Sequence, residues 1–221
     1  MRSDRIFYVA YPIAVIVAVV AMIEFDSPLG YSAQLIPHAV LLYYWFFHHG
    51  FNKNRLFSIA WLGFMLADFA AIIASSFSAK STYILALLGI SFLSAAFFTW
   101  RSGYARRRGF LALFAVAYGL GYFIQFEENI QSELYIPLGI YAMLDAVLFI
   151  VIAGMRLKNN FSYAICLFGL MLYMISDGLH AFHFFVDQVS FGEPMMGLLR
   201  FASLALFVIG IIEEDRTKVL I

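Results

Sequence analysis

The chain is a succession of long apolar runs separated by short polar breaks, and that alternation admits very few folds. A bilayer core offers no water to unpaired backbone groups, so only helices and closed barrels can cross it. Barrel strands alternate apolar and polar residues over about ten positions. Runs such as 10–23 are solidly apolar instead. The expected fold is therefore all-α, a polytopic transmembrane helical bundle. Composition agrees: 63% of residues are hydrophobic and 13% charged, against about 25% charged in an ordinary soluble domain.

A span takes about 20 residues. Eight fit, at 6–23, 33–48, 56–76, 82–100, 109–126, 134–155, 161–186 and 195–212. The breaks at 26–30, 50–54, 101–109, 158–160 and 192–194 carry the expected Pro, Gly, Asn and charged residues. None is long enough for a soluble domain, so residues 1–221 read as a single integral membrane domain. The first run ends in Glu24-Phe25-Asp26 without a small-residue cleavage pattern, and is expected to be a retained helix.

Lys and Arg collect on the cytoplasmic side of a membrane protein. With the N-terminus inside, 12 of the 14 Lys and Arg residues fall on inner segments, and only Lys80 and Arg200 fall outside. Eight spans then leave both the N- and C-termini cytoplasmic. The expected location is a multi-pass protein of the cell membrane. Net charge is zero and no long basic run occurs, so nucleic acid is not an expected partner. The single cysteine, Cys166, excludes a disulfide framework within the chain.

Against this apolar background the stretch 173–183, YMISDGLHAFH, carries Ser176, Asp177, His180 and His183. A carboxylate at membrane depth costs roughly 3 kcal/mol on insertion scales and faces a bundle interior or a wet cavity. Helical rise is about 1.5 Å per residue, which puts Asp68 roughly 12 Å and Asp177 roughly 14 Å below the outer end of their spans. His38 and Arg200 sit shallower on the same side, with His180 and His183 just above Asp177. Six ionisable groups from four spans thus gather in the outer half, and Asp145 lies nearer the midplane. Asp177 and His180 share a helical face through their three-residue spacing. Asp68, Asp177 and His180 are the candidate catalytic groups. His38, Arg200, Tyr173, Ser176 and Asp145 are candidates for contacting substrate, Arg200 because a planar fork of donors suits a phosphate. The bland readings are structural pairing for the carboxylates and snorkelling for Arg200. No metal or other cofactor is expected. The nearest approach to a ligand set is Asp177, His180 and His183, whose Asp-x2-His-x2-His spacing is permissible for zinc or iron without being a recognised signature.

The pattern Gly169-x3-Tyr173-x2-Ser176-Asp177-x-Leu179 resembles the signature of the YhhN-type lysoplasmalogenase family of integral membrane proteins. Gly63 with Leu66-Ala67-Asp68 is similar to that family's third helix, and Pro137 with Tyr141 to its sixth. Length and the eight-span plan are similar too. The resemblance implies a lipid hydrolase that cleaves the vinyl-ether bond of lysoplasmalogens, giving a fatty aldehyde and a glycerophospho-alcohol. It implies catalysis by Asp68 and Asp177, and a membrane lysophospholipid as partner. Protonating the β-carbon of a vinyl ether requires one neutral carboxyl as acid, while an ionised one stabilises the cation and activates water. Which aspartate is which stays open. The chain departs from the family at Ile36-Pro37, where the family has Lys-Pro, at Ala67 in place of glycine, at a helix-4 histidine absent from 91–98, and in its last span, where an apolar run after Arg200 replaces the family's Tyr and Gln. Those departures favour the alternative, a catalytically inactive lipid-binding or structural membrane protein on the same scaffold. The enzyme reading is preferred because two buried carboxylates suit the chemistry.

Overall fold

The computed structural model describes residues 2–25, 32–53, 58–59, 61–63, 65–66, 89, 110–130, 132–187 and 189–219. They are almost entirely helical, with no β-strand among them. The main helices are α1 (Arg2–Glu24), α2 (Leu35–Lys53), α3 (Phe110–Phe126), α4 (Ser132–Gly154), α5 (Asn160–Phe185) and α6 (Gly192–Val219). A 3₁₀ turn, Glu127–Asn129, leads from α3 towards α4. Six of the expected spans coincide with these helices. Most of 56–76, with Asp68, and nearly all of 82–100 lie outside the described residues.

Among the described residues, three segments are long and apolar enough to cross a membrane: Arg5–Glu24, Asn160–His183 and Gly192–Thr217. Leu138–Gly154 is a shorter apolar helix. Their outer faces are apolar as well. On α5, Phe161, Phe168, Met171, Ile175 and Phe182 are exposed, whereas Ser162, Cys166, Leu170, Tyr173 and Ser176 on the opposite stripe are buried. Exposed apolar stripes over buried polar groups suit a hydrocarbon surround, since lipid takes large apolar side chains without penalty and polar groups are sheltered inside.

Two hairpins organise the bundle. In the first, α5 and α6 pack more extensively than any other pair, with α1 and α2 laid against α6. Small residues make the close approach possible, as membrane helix interfaces commonly require. A Cβ on Gly210 would fall 2.5 Å from Cys166 Sγ and 3.1 Å from the Ser162 carbonyl oxygen, and one on Gly169 would fall 3.1 Å from the Ser203 carbonyl oxygen. In the second hairpin α3 packs on α4, and both reach α5. The α1–α2 pair is fixed by Phe7 stacked on Tyr44, with ring centroids 3.8 Å apart and planes 9° from parallel. Tyr11 O–H donates to the Phe201 carbonyl at 2.7 Å, tying α1 to α6. Trp45 Nε1–H donates to Ser58 Oγ at 3.0 Å.

Helix ends differ from those expected, for local reasons. The first turn of α6 contains Glu193 and Pro194, where the sequence suggests a break. Proline is compatible with a first turn, where its missing N–H is not needed. At the other end α6 runs on through Glu213, Glu214, Asp215 and Arg216. Glu214 is 1% exposed, and its carboxylate accepts the backbone N–H of Lys158 at 3.1 Å and of Asn159 at 3.0 Å. Those two donors precede α5, whose N-cap is Asn159, with its side chain accepting Phe161 N–H at 2.9 Å. The polar tail of α6 therefore closes the α4–α5 turn. Pro37 likewise falls in the first turn of α2, so it costs that helix no interior hydrogen bond and does not interrupt it.

Candidate functional site

The groups that converge lie where α4, α5 and α6 meet. Tyr141 of α4 donates its O–H to Asp177 Oδ2 of α5 at 2.5 Å. Tyr173, one turn earlier on α5 and 1% exposed, is hydrogen-bonded to Tyr141. Arg200 of α6 places its positive charge within reach of both Asp177 and Tyr173. Asp145, four residues beyond Tyr141 on α4, is buried and close enough for its charge and that of Asp177 to act on one another. Tyr118 of α3 borders the same carboxylates, and its O–H donates to the Met174 carbonyl at 3.1 Å. The result is a tyrosine-lined carboxylate pair with one guanidinium, enclosed by helices whose outer faces are apolar.

Helical geometry brings these groups together. Four residues advance a helix by about 6 Å and return to nearly the same face, so Tyr141 and Asp145 both project from one side of α4. Tyr173 and Asp177 do the same on α5, which explains how two helices supply four polar side chains to one place. Chemically, such an arrangement holds a proton and a negative charge side by side, with a cation available to an anionic group.

The other candidate residues have distinct settings. Ser176 is buried and donates to the Met196 carbonyl at 2.9 Å, a tie between α5 and α6. His38 is fully buried, its ring edge-on to Trp61 at 6.0 Å and to Phe201 at 5.6 Å. His180 is exposed. His183 Nδ1 accepts the Val189 N–H at 3.0 Å and so holds the turn between α5 and α6. Among the described residues no three His, Cys, Asp or Glu side chains converge as metal ligands, so Asp177, His180 and His183 do not form a set. Asp68 lies outside the described residues. Sequence reasoning gave Tyr141 only a supporting place and passed over Tyr118. The four-residue spacing of Tyr141 and Asp145 was the available signal, diluted in a chain of 13 tyrosines, and no spacing marked Tyr118.

Comparison with protein-family models, with curated proteins and with solved structures gives no match.

Proposed function

We propose that this protein is a membrane-embedded lipid hydrolase acting on the vinyl-ether bond of lysoplasmalogens, with Asp177 at the centre of its site. The observation that carries the reading is the part-buried Tyr141–Asp177 hydrogen bond beside Arg200 and the buried Asp145. The reaction adds water across the alkenyl ether. A proton goes to the β-carbon, water oxygen bonds to the resulting oxocarbenium carbon, and the hemiacetal collapses to a fatty aldehyde and a glycerophospho-alcohol. No oxidant or reductant is needed. Asp177 accepts the Tyr141 hydroxyl and faces a guanidinium, which suits the carboxylate that balances the cation. The family resemblance gives Asp68 as its partner carboxyl. Arg200 is the group suited to the lipid phosphate.

The same proposal includes the wider architecture: eight spans, both termini cytoplasmic, and a multi-pass protein of the cell membrane. The support is the charge asymmetry of the sequence together with the apolar outer faces of α1, α3, α4 and α5. One structural detail favours the non-catalytic alternative: Ile36, at the position of the family's lysine, is an exposed apolar residue.

The test is aldehyde release from a lysoplasmalogen by the detergent-purified protein, run beside Asp177→Asn. Release that the variant abolishes supports the hydrolase. A folded wild type that retains lipid and releases no aldehyde supports the lipid-binding alternative.

A further inference from the structure

The two carboxylates at the α4–α5 contact have unlike surroundings. Asp177 Oδ2 accepts the Tyr141 O–H at 2.5 Å, and the Arg200 charge bears on it. An ionised carboxylate is acceptor-only and is strengthened by such donors. Asp145 is 6% exposed, one turn further along α4, and its Oδ1 is buried without a hydrogen-bond partner. The charges and dipoles that bear on this region come from Asp177 and Tyr173 on α5, Tyr118 on α3, Tyr141 on α4 and Arg200 on α6. The named charge acting on Asp145 is the like charge of Asp177. A buried ion without donors is strongly disfavoured, and two adjacent carboxyls settle by sharing one negative charge.

We propose that Asp145 is the proton-bearing acid of this site, neutral in the resting protein, with Asp177 as its ionised partner. The catalytic part of this assignment rests on the hydrolase reading, whereas the location of the proton does not. In the reaction the Asp145 O–H proton bonds to the β-carbon through the electron pair of the C=C bond, leaving an oxocarbenium ion beside the Asp177 carboxylate. Asp177 then takes a proton from water as the water oxygen bonds to the cationic carbon. In the collapse Asp177 returns that proton to the leaving alkoxide oxygen, and the hemiacetal hydroxyl gives its proton to Asp145. Both carboxyls end as they began. Asp145 thereby takes the place that the family resemblance gives to Asp68.

The experiment is infrared spectroscopy of the full-length protein in lipid nanodiscs at neutral pH, reading the C=O stretch of protonated carboxylic acids and its downshift in heavy water. Wild type and Asp177→Asn are expected to show a component that Asp145→Asn lacks. A spectrum unchanged by Asp145→Asn, or a component lost only with Asp177→Asn, overturns the assignment. If Asp145→Asn does not fold, Asp145→Glu serves in its place. The component should then persist at a shifted frequency, and its absence overturns the assignment equally. In protein that releases aldehyde, Asp145→Asn should lower kcat by about 100-fold or more, the scale of lost acid catalysis, with KM little changed. Full turnover in Asp145→Asn, with loss in Asp68→Asn, overturns the role of Asp145 and leaves the hydrolase standing. A component that belongs to Asp145 in a protein that cleaves no vinyl ether keeps the proton assignment and removes the hydrolase.

Discussion

Tyr141 joins α4 to the site through one hydroxyl, and the consequence of removing that hydroxyl follows from its partner. Tyr141→Phe keeps the ring and its packing but deprives Asp177 Oδ2 of its donor. A hydrogen bond to a charged group is worth about 1.5–3 kcal/mol. Aldehyde release should therefore fall roughly 10- to 100-fold, with thermal stability of the purified variant close to wild type; unchanged turnover would remove Tyr141 from the site. His183 gives the contrasting case. It is committed to the Val189 N–H, and a Cβ on Gly192 would fall 2.8 Å from its Nδ1. The sequence marks both histidines of 180 and 183 equally. The structure separates them, because one is exposed and the other closes a turn whose last residue, Phe191, holds a left-handed φ of 58°. A difference in role between residues three apart depends on where the chain turns, which no spacing rule specifies. Asp177, by contrast, is legible from its cost alone, since few carboxylates sit inside an apolar run without a partner.

At the level of elements, the α5–α6 hairpin depends on side chains that are small rather than on any strong bond. Gly210→Ala should destabilise the protein by about 1–3 kcal/mol, the usual effect of overpacking, read as a lower midpoint of thermal unfolding in detergent. Cys166→Ala in that background removes the sulfur lying 2.5 Å from the new methyl and should restore part of the loss. The Ser162 carbonyl contact at 3.1 Å keeps the recovery incomplete. A Gly210→Ala protein as stable as wild type would mean the two helices are not so close. The Glu214 carboxylate supports a second expectation. Glu214→Ala takes the carboxylate acceptor from two part-buried backbone donors, at about 1 kcal/mol each, whereas Glu214→Gln keeps one acceptor oxygen and should lose less. The order wild type, Gln, Ala in unfolding midpoint checks it; an inverted order would exclude the clasp. Helix centres were legible here from the long apolar runs. The end of α6 was not, because the apolar run stops at 212 and Glu213 to Arg216 are tied in by a tertiary contact, Glu214 with the turn before α5.

At the scale of the whole molecule, large apolar side chains face outward among the described residues, an arrangement compatible with a lipid surround: Leu113 is 75%, Ile136 73% and Met143 71% exposed, while His38, Asp145 and Ser176 are buried. Water would penalise that distribution by roughly 25 cal/mol for every Å² of apolar surface left in it. Hydrocarbon does not. The membrane setting follows from the same observation as the position of the site, for the polar groups can gather inside only because the apolar ones face out. Orientation is open to a test based on charge. The turn before α5 carries Arg156 and Lys158 and is clasped by Glu214 of α6, so the C-terminal end of α6 and that turn lie at the same end of the bundle. If basic residues mark the cytoplasm, a reporter that fluoresces only in the cytoplasm should be bright when fused after residue 221. A phosphatase active only outside the cytoplasm should be silent there and active when inserted near Asp187, in the turn that joins α5 to α6. The reverse pattern would place the carboxylate site on the cytoplasmic half of the membrane, and with it the leaflet from which a lipid substrate has to enter.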